Sequence, residues 1–123
     1  MARVLALSRD LLFGSRVQAT LVACGHEVEL IADRPRLEQR LEDAAAPAAA
    51  ALVVDLTDVE LDGAAILESL AAEGKLDSMR TLAYYSHVDA AVRERAEEAG
   101  FDLVVPRSRM AREGAELVAR LLE

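Results

Sequence analysis

Leu52-Val53-Val54-Asp55-Leu56 is the stretch that decides the fold: a continuous apolar run with one carboxylate set into its end. Such runs fit a central strand of a parallel sheet, covered on both faces. Outward from it, β-type and helix-type segments alternate. Arg3 to Leu7 reads as a first strand, bounded by Ser8-Arg9-Asp10. Leu12 to Cys24 carries Phe13, Val17 and Leu21 at helical spacing, with Asp10 placed as an N-cap and Gly25 as a C-terminal stop. Glu27 to Ala32 alternates acids with Val28 and Leu30, as a strand does. Arg34 to Ala46 has Leu37 and Leu41 four apart, a short amphipathic helix ending near Pro47. The central strand is expected over Ala48 to Leu56.

The alternation continues downstream. Asp62 caps a helix over Gly63 to Ala72, with Ile66, Leu67 and Leu70 on its inner stripe, and Met79 to Tyr85 is a fourth strand. Ser86-His87-Val88-Asp89 has the form of a capping box opening a helix to Ala99. Asp102 to Val105 is a fifth strand stopped by Pro106. Ser108 is expected to cap a last helix bearing Met110, Leu117, Val118, Leu121 and Leu122.

Composition narrows the function classes. The 123 residues suit one domain, 1–123. Lys plus Arg is 14 against 22 Asp plus Glu, a formal charge of -8. That balance argues against nucleic acid, whose phosphates are met by excess positive charge, and against an anionic membrane surface. The single cysteine, Cys24, excludes an intramolecular disulfide framework and a zinc site of several thiolates. No apolar run reaches the roughly 20 residues of a membrane span. The opening Met1-Ala2-Arg3-Val4-Leu5 enters a strand directly, unlike a signal peptide, so a cytoplasmic domain is expected. Strict βα alternation implies a parallel sheet with helices on both faces. Ten elements with right-handed crossovers point to an α/β, flavodoxin-like (βα)5 doubly wound fold, strand order 2-1-3-4-5. In such sheets function sits at the carboxyl ends of the strands. Those ends carry Ser8-Arg9-Asp10, Asp55, Tyr85-Ser86-His87 and Pro106-Arg107.

On these residues the chain resembles, over its whole length, the receiver domain of bacterial two-component response regulators. A strand-terminal Asp55 followed by Leu61-Asp62-Gly63 opening the next helix carries the resemblance, with Ala96-Glu97-Glu98-Ala99-Gly100-Phe101-Asp102 before strand five. The resemblance implies that Asp55 is the phosphoacceptor. It implies an acidic pair after strand one to hold Mg²⁺, a hard cation that takes carboxylate oxygens; here the pair falls on Ser8 and Arg9, with Asp10 one residue late. It implies a Ser or Thr ending strand four, which falls on Tyr85 or Ser86, and a Lys ending strand five, where Arg107 stands. Phosphoryl transfer depends on positioning and on charge neutralisation by the metal. A degenerate, pseudo-receiver-like site is therefore expected, with no cofactor and no metal, and with Arg9, Arg107 or both beside Asp55.

The remaining residues have plainer readings. Asp55 is also readable as a strand-end carboxylate, Arg9 as a solvated loop residue, and Ser86 as a cap as well as a phosphoryl contact. His87 has no His or Cys near it in sequence, and reads as a surface-loop residue. Of Tyr84 and Tyr85, one should face the core and one the rim, since strand neighbours alternate. The leading function is a non-enzymatic signalling module of the phosphorelay type acting by protein–protein contact. Its homodimer face would be helix four, strand five and helix five, carrying Arg93, Arg95, Glu97, Glu98, Arg109, Arg112, Glu113 and Glu116. Two alternatives stand beside it. One is an active receiver that phosphorylates itself weakly on Asp55, with Asp10 and Asp55 at Mg²⁺. The other is a small-anion domain using Ser8, Arg9 and Arg107.

Overall fold

The computed structural model describes residues 2–86 and 90–123. Its elements run β1 (Arg3–Leu7), α1 (Leu11–Ala23), β2 (Glu27–Ile31), α2 (Arg34–Glu42), β3 (Ala51–Asp55), α3 (Gly63–Ala72), β4 (Arg80–Tyr85), α4 (Ala90–Ala99), β5 (Leu103–Pro106) and α5 (Arg107–Leu121). All four strand pairings are parallel, in the order β2-β1-β3-β4-β5. The flavodoxin-like topology expected from the alternation is the one formed. Among the described residues no helix is long and apolar enough to cross a membrane.

β3 lies in the middle because it can be buried on both faces: all five of its residues are buried. Side chains alternate along a strand, so its residues divide between two cores. Leu52 and Val54 join Leu5, Leu7, Ala83 and Tyr85 under Leu37 of α2, Ile66, Leu67 and Leu70 of α3 and Ala96 of α4. Ala51 and Val53 join Val4, Leu82, Tyr84 and Val105 under Phe13, Val17 and Leu21 of α1 and Met110, Leu117 and Val118 of α5. By the same parity Asp55, two residues beyond Val53, belongs to the α1/α5 face. Tyr84 and Tyr85 are both buried, at 2% and 6% exposure, on opposite faces. The expectation of one core and one rim tyrosine fails because β4, like β3, is covered on both sides.

Other boundaries shift for local reasons. α2 stops at Glu42, not Ala46, because Asp43 takes an extended backbone and its carboxylate accepts the Ala45 N–H at 3.0 Å. α5 begins at Arg107 with Pro106 as its N-cap and no side-chain cap, so Ser108 sits inside the helix rather than capping it. The cap on α1 is as expected: Asp10 Oδ1 accepts the Phe13 N–H at 3.1 Å. Asp62 caps α3 from a left-handed backbone, φ 49°, accepting from Ala65 N. The capping box of Ser86 to Asp89 extends over His87, Val88 and Asp89, which lie outside the described residues.

Candidate functional site

Asp55 ends β3 in register with Tyr84 of β4. Asp55 is buried, 1% exposed, yet among the described residues no arginine pairs with it. The Ser8 hydroxyl donates to Oδ2 at 2.8 Å. Thr57 donates to Oδ1 twice, from its backbone N–H at 2.8 Å and its hydroxyl at 2.5 Å. Ser8 in turn accepts the Asp10 N–H at 3.1 Å. Among the described residues, three neutral donors thus satisfy the buried carboxyl oxygens, which is how such a group is held in a core without a counter-charge. Ser8 reaches Asp55 because it lies two residues past Ala6 of β1, on the same face of the sheet. Tyr84 closes the group from below. Its ring is 5.2 Å from that of Phe13. Burial, and then the charge of Asp55, push its hydroxyl above the ordinary tyrosine range, while the neighbouring Ser8 hydroxyl opposes the shift.

The arginines go elsewhere, and this corrects the expectation that one would pair with Asp55. Arg9 grips Asp58 side-on, Nε to Oδ2 at 2.6 Å and Nη2 to Oδ1 at 2.9 Å, and touches Glu60 at 3.2 Å. These hydrogen bonds lower the Asp58 carboxyl below its ordinary value and raise Arg9 above its own. Arg107 donates to Asp10 Oδ2 at 3.2 Å and lies 4.2 Å above the Phe13 ring. Both arginine side chains stay 44% exposed. Taking a guanidinium down to an acid that already has its donors would cost desolvation with little return.

The predicted site residues therefore separate into four groups, of which Arg9, held by Asp58 and Glu60, is one by itself. Ser8, Asp10 and Asp55 are linked through the Ser8 hydroxyl. Ser86 and Arg107 line a neighbouring cleft of about 420 Å³ with Phe13, Arg16, Ser108 and Ala111, tied to the first group only by the Arg107–Asp10 ion pair. Tyr85 packs into the core under α3 and α4, away from the face of Asp55. Thr57, Asp58 and Glu60 were not singled out in the sequence. Asp55-Leu56-Thr57 does carry a signal for the first of them: an Asp side chain readily accepts the N–H two residues on.

No family model matches the sequence, and no curated protein matches it. Solved structures do. The chain superposes on the chemotaxis response regulator CheY4 of Vibrio cholerae over 99% of each chain, TM-score 0.83, at 17% identity. A putative response regulator from Chloroflexus aurantiacus matches over 98% of this chain and 97% of its own, TM-score 0.86, also at 17% identity. The phosphorylated cyanobacterial phytochrome response regulator RcpA matches over 99% and 94%, TM-score 0.83, at 14% identity. The fold is that of a response-regulator receiver domain.

The receiver fold brings with it the question of Mg²⁺. A divalent cation at this rim needs a set of free carboxylate oxygens. Asp10 is spent on the α1 cap and on Arg107. Both Asp55 oxygens carry neutral donors. Arg9 brings a fixed positive charge to the loop where the receiver pattern has an acid. Among the described residues, no three His, Cys, Asp or Glu side chains are grouped to hold a metal ion. Among the described residues, the side chains at this rim offer Mg²⁺ no set of unengaged carboxylates.

Proposed function

We propose that this chain is a receiver-fold signalling module that acts through protein contact, with Asp55 serving as a structural acid and not as a phosphoacceptor. The observation that carries the reading is the closed bonding of Asp55: 1% exposure and a donor on each carboxylate oxygen. A phosphoacceptor must present one oxygen to the donor and have its charge neutralised during transfer. Here Ser8 and Thr57 occupy the oxygens, and the rim arginines Arg9 and Arg107 are held by Asp58, Glu60 and Asp10.

The contact surface proposed is the α4–β5–α5 face, toward a signalling partner or a second copy. Its charges are already partly satisfied within the chain. Arg93 pairs with Glu97, Arg109 and Arg112 with Glu113, and Arg95 turns aside to Glu68 of α3 at 2.6 Å. A partner there has to offer more than salt bridges, because exposed pairs contribute little.

Intact mass after incubation with acetyl phosphate and Mg²⁺, beside an Asp55→Ala control, tests the reading. No mass gain in the folded protein is expected. A gain of one phosphoryl group that needs Mg²⁺ and is absent in the control would establish an active phosphoaspartyl receiver instead.

A further inference from the structure

The loop between β3 and α3 is organised around one carboxylate. Asp58 Oδ1 accepts the Glu60 N–H at 3.0 Å and the Leu61 N–H at 3.4 Å, so the chain folds back over it. The same carboxylate takes the two-pronged grip of Arg9 from the β1–α1 loop, 49 residues away in sequence. Glu60 adds a second carboxylate to the same guanidinium. With both acids turned toward Arg9, Val59 between them points outward and is 86% exposed. One cation from the first loop thus draws together two carboxylates of the other. An Arg fork matches a carboxylate in plane and holds its charge at every physiological pH.

We propose that the Arg9 guanidinium is the resident cation of this rim, joining the β1–α1 loop to the β3–α3 loop where the receiver fold otherwise relies on a divalent metal. The loop would then keep one shape with or without metal. This rests on the reading of the chain as a module that works without phosphorylation, and it adds what holds the module in a single state.

Backbone hydrogen exchange of Glu60 and Leu61, whose N–H groups donate to Asp58, reads the arrangement directly. In the unaltered protein their exchange should be the same with and without millimolar Mg²⁺. In Arg9→Gln it should be faster, roughly twofold to fivefold as expected for an exposed pair, with the amides of β1 and β3 unchanged. Arg36→Gln, which removes an exposed arginine paired with Asp33 three residues before it, should leave Glu60 and Leu61 unaffected. Should Arg9→Gln fail to fold, raising salt on the unaltered protein screens the same pair, and should speed these two amides selectively. Slowing of Glu60 and Leu61 by Mg²⁺ in the unaltered protein would overturn the proposal, as would exchange indifferent to both Arg9→Gln and salt. A Mg²⁺-dependent phosphoryl mass gain on Asp55 would sink the parent reading and with it the single-state role of Arg9, whereas exchange in Arg9→Gln reads the Arg9–Asp58 grip by itself, so the two failures are told apart.

Discussion

The Ser8 hydroxyl donates to Asp55 Oδ2 at 2.8 Å, and both residues are 1% exposed. A hydroxyl thus stands where the receiver pattern has an acid, and it faces the strand-end carboxylate as a donor. Ser8→Ala should leave a buried carboxylate oxygen without its donor and cost about 1–3 kcal/mol in urea denaturation. Asp55→Asn should cost less than Asp55→Ala, because an amide keeps an acceptor for Thr57 and offers an N–H to Ser8. Equal stability of Ser8→Ala and the unaltered protein would show that the hydroxyl holds nothing.

Tyr84 makes an alkaline prediction. Burial first, and Asp55 second, raise its hydroxyl above the ordinary value of 10.0 in the folded chain. The folded state therefore favours the neutral phenol. This contribution is fully present below pH 10.0 and is lost as pH rises above it, because the unfolded chain releases the proton first. The loss is about 1.4 kcal/mol per pH unit in that window. Denaturation midpoints of Tyr84→Phe, followed from neutral into alkaline pH, should fall less steeply than those of the unaltered protein. Matching slopes would refute the assignment.

Two glycines should respond to alanine with opposite sign. At Gly63, the first residue of α3, a Cβ would sit 2.5 Å from Val54 Cγ1 and 2.8 Å from Leu56 Cδ2. Val54 is a stiff side chain at 1% exposure, so Gly63→Ala should cost about 1–3 kcal/mol through overpacking. At Gly114 the nearest atom is Met110 Cε at 3.5 Å, an ordinary contact. Gly114→Ala should gain about 0.5–1 kcal/mol by restricting the unfolded chain. Thermal unfolding of the pair side by side checks both.

Asp10 does two jobs that separate by substitution. It caps α1 through Phe13 N and pairs with Arg107. Asp10→Asn keeps a capping oxygen and loses only the exposed ion pair, a change of no more than about 0.5 kcal/mol. Asp10→Ala loses the cap as well and should cost about 1 kcal/mol. A denaturant series on the two variants distinguishes them, and equal losses would mean that the cap contributes nothing.

The topology was legible in the order of residues because periodicity is local. Apolar runs such as Leu52 to Val54 and the helical spacing of Phe13, Val17 and Leu21 report burial on one face or two, and strict alternation then leaves little choice of sheet. Caps such as Asp10 and Asp62 were legible for the same reason, since a cap and its N–H lie within three residues. The placement of Asp55 at the end of a doubly covered strand followed directly.

What surrounds Asp55 was settled by the tertiary structure. Arg9 and Arg107 stood in the right sequence positions to meet it, yet Arg9 joins an acid 49 residues away and Arg107 one 97 residues away. Long, flexible side chains at a loop rim select among several acids by distance and solvent access, and neither quantity is written in the spacing of residues along the chain. The sheet's pleat decides the rest: it puts Ser8, Asp55 and Tyr84 on one face and Tyr85 on the other, so neutral hydroxyls reach the buried carboxylate while the guanidinium groups stay with exposed acids where water still solvates them.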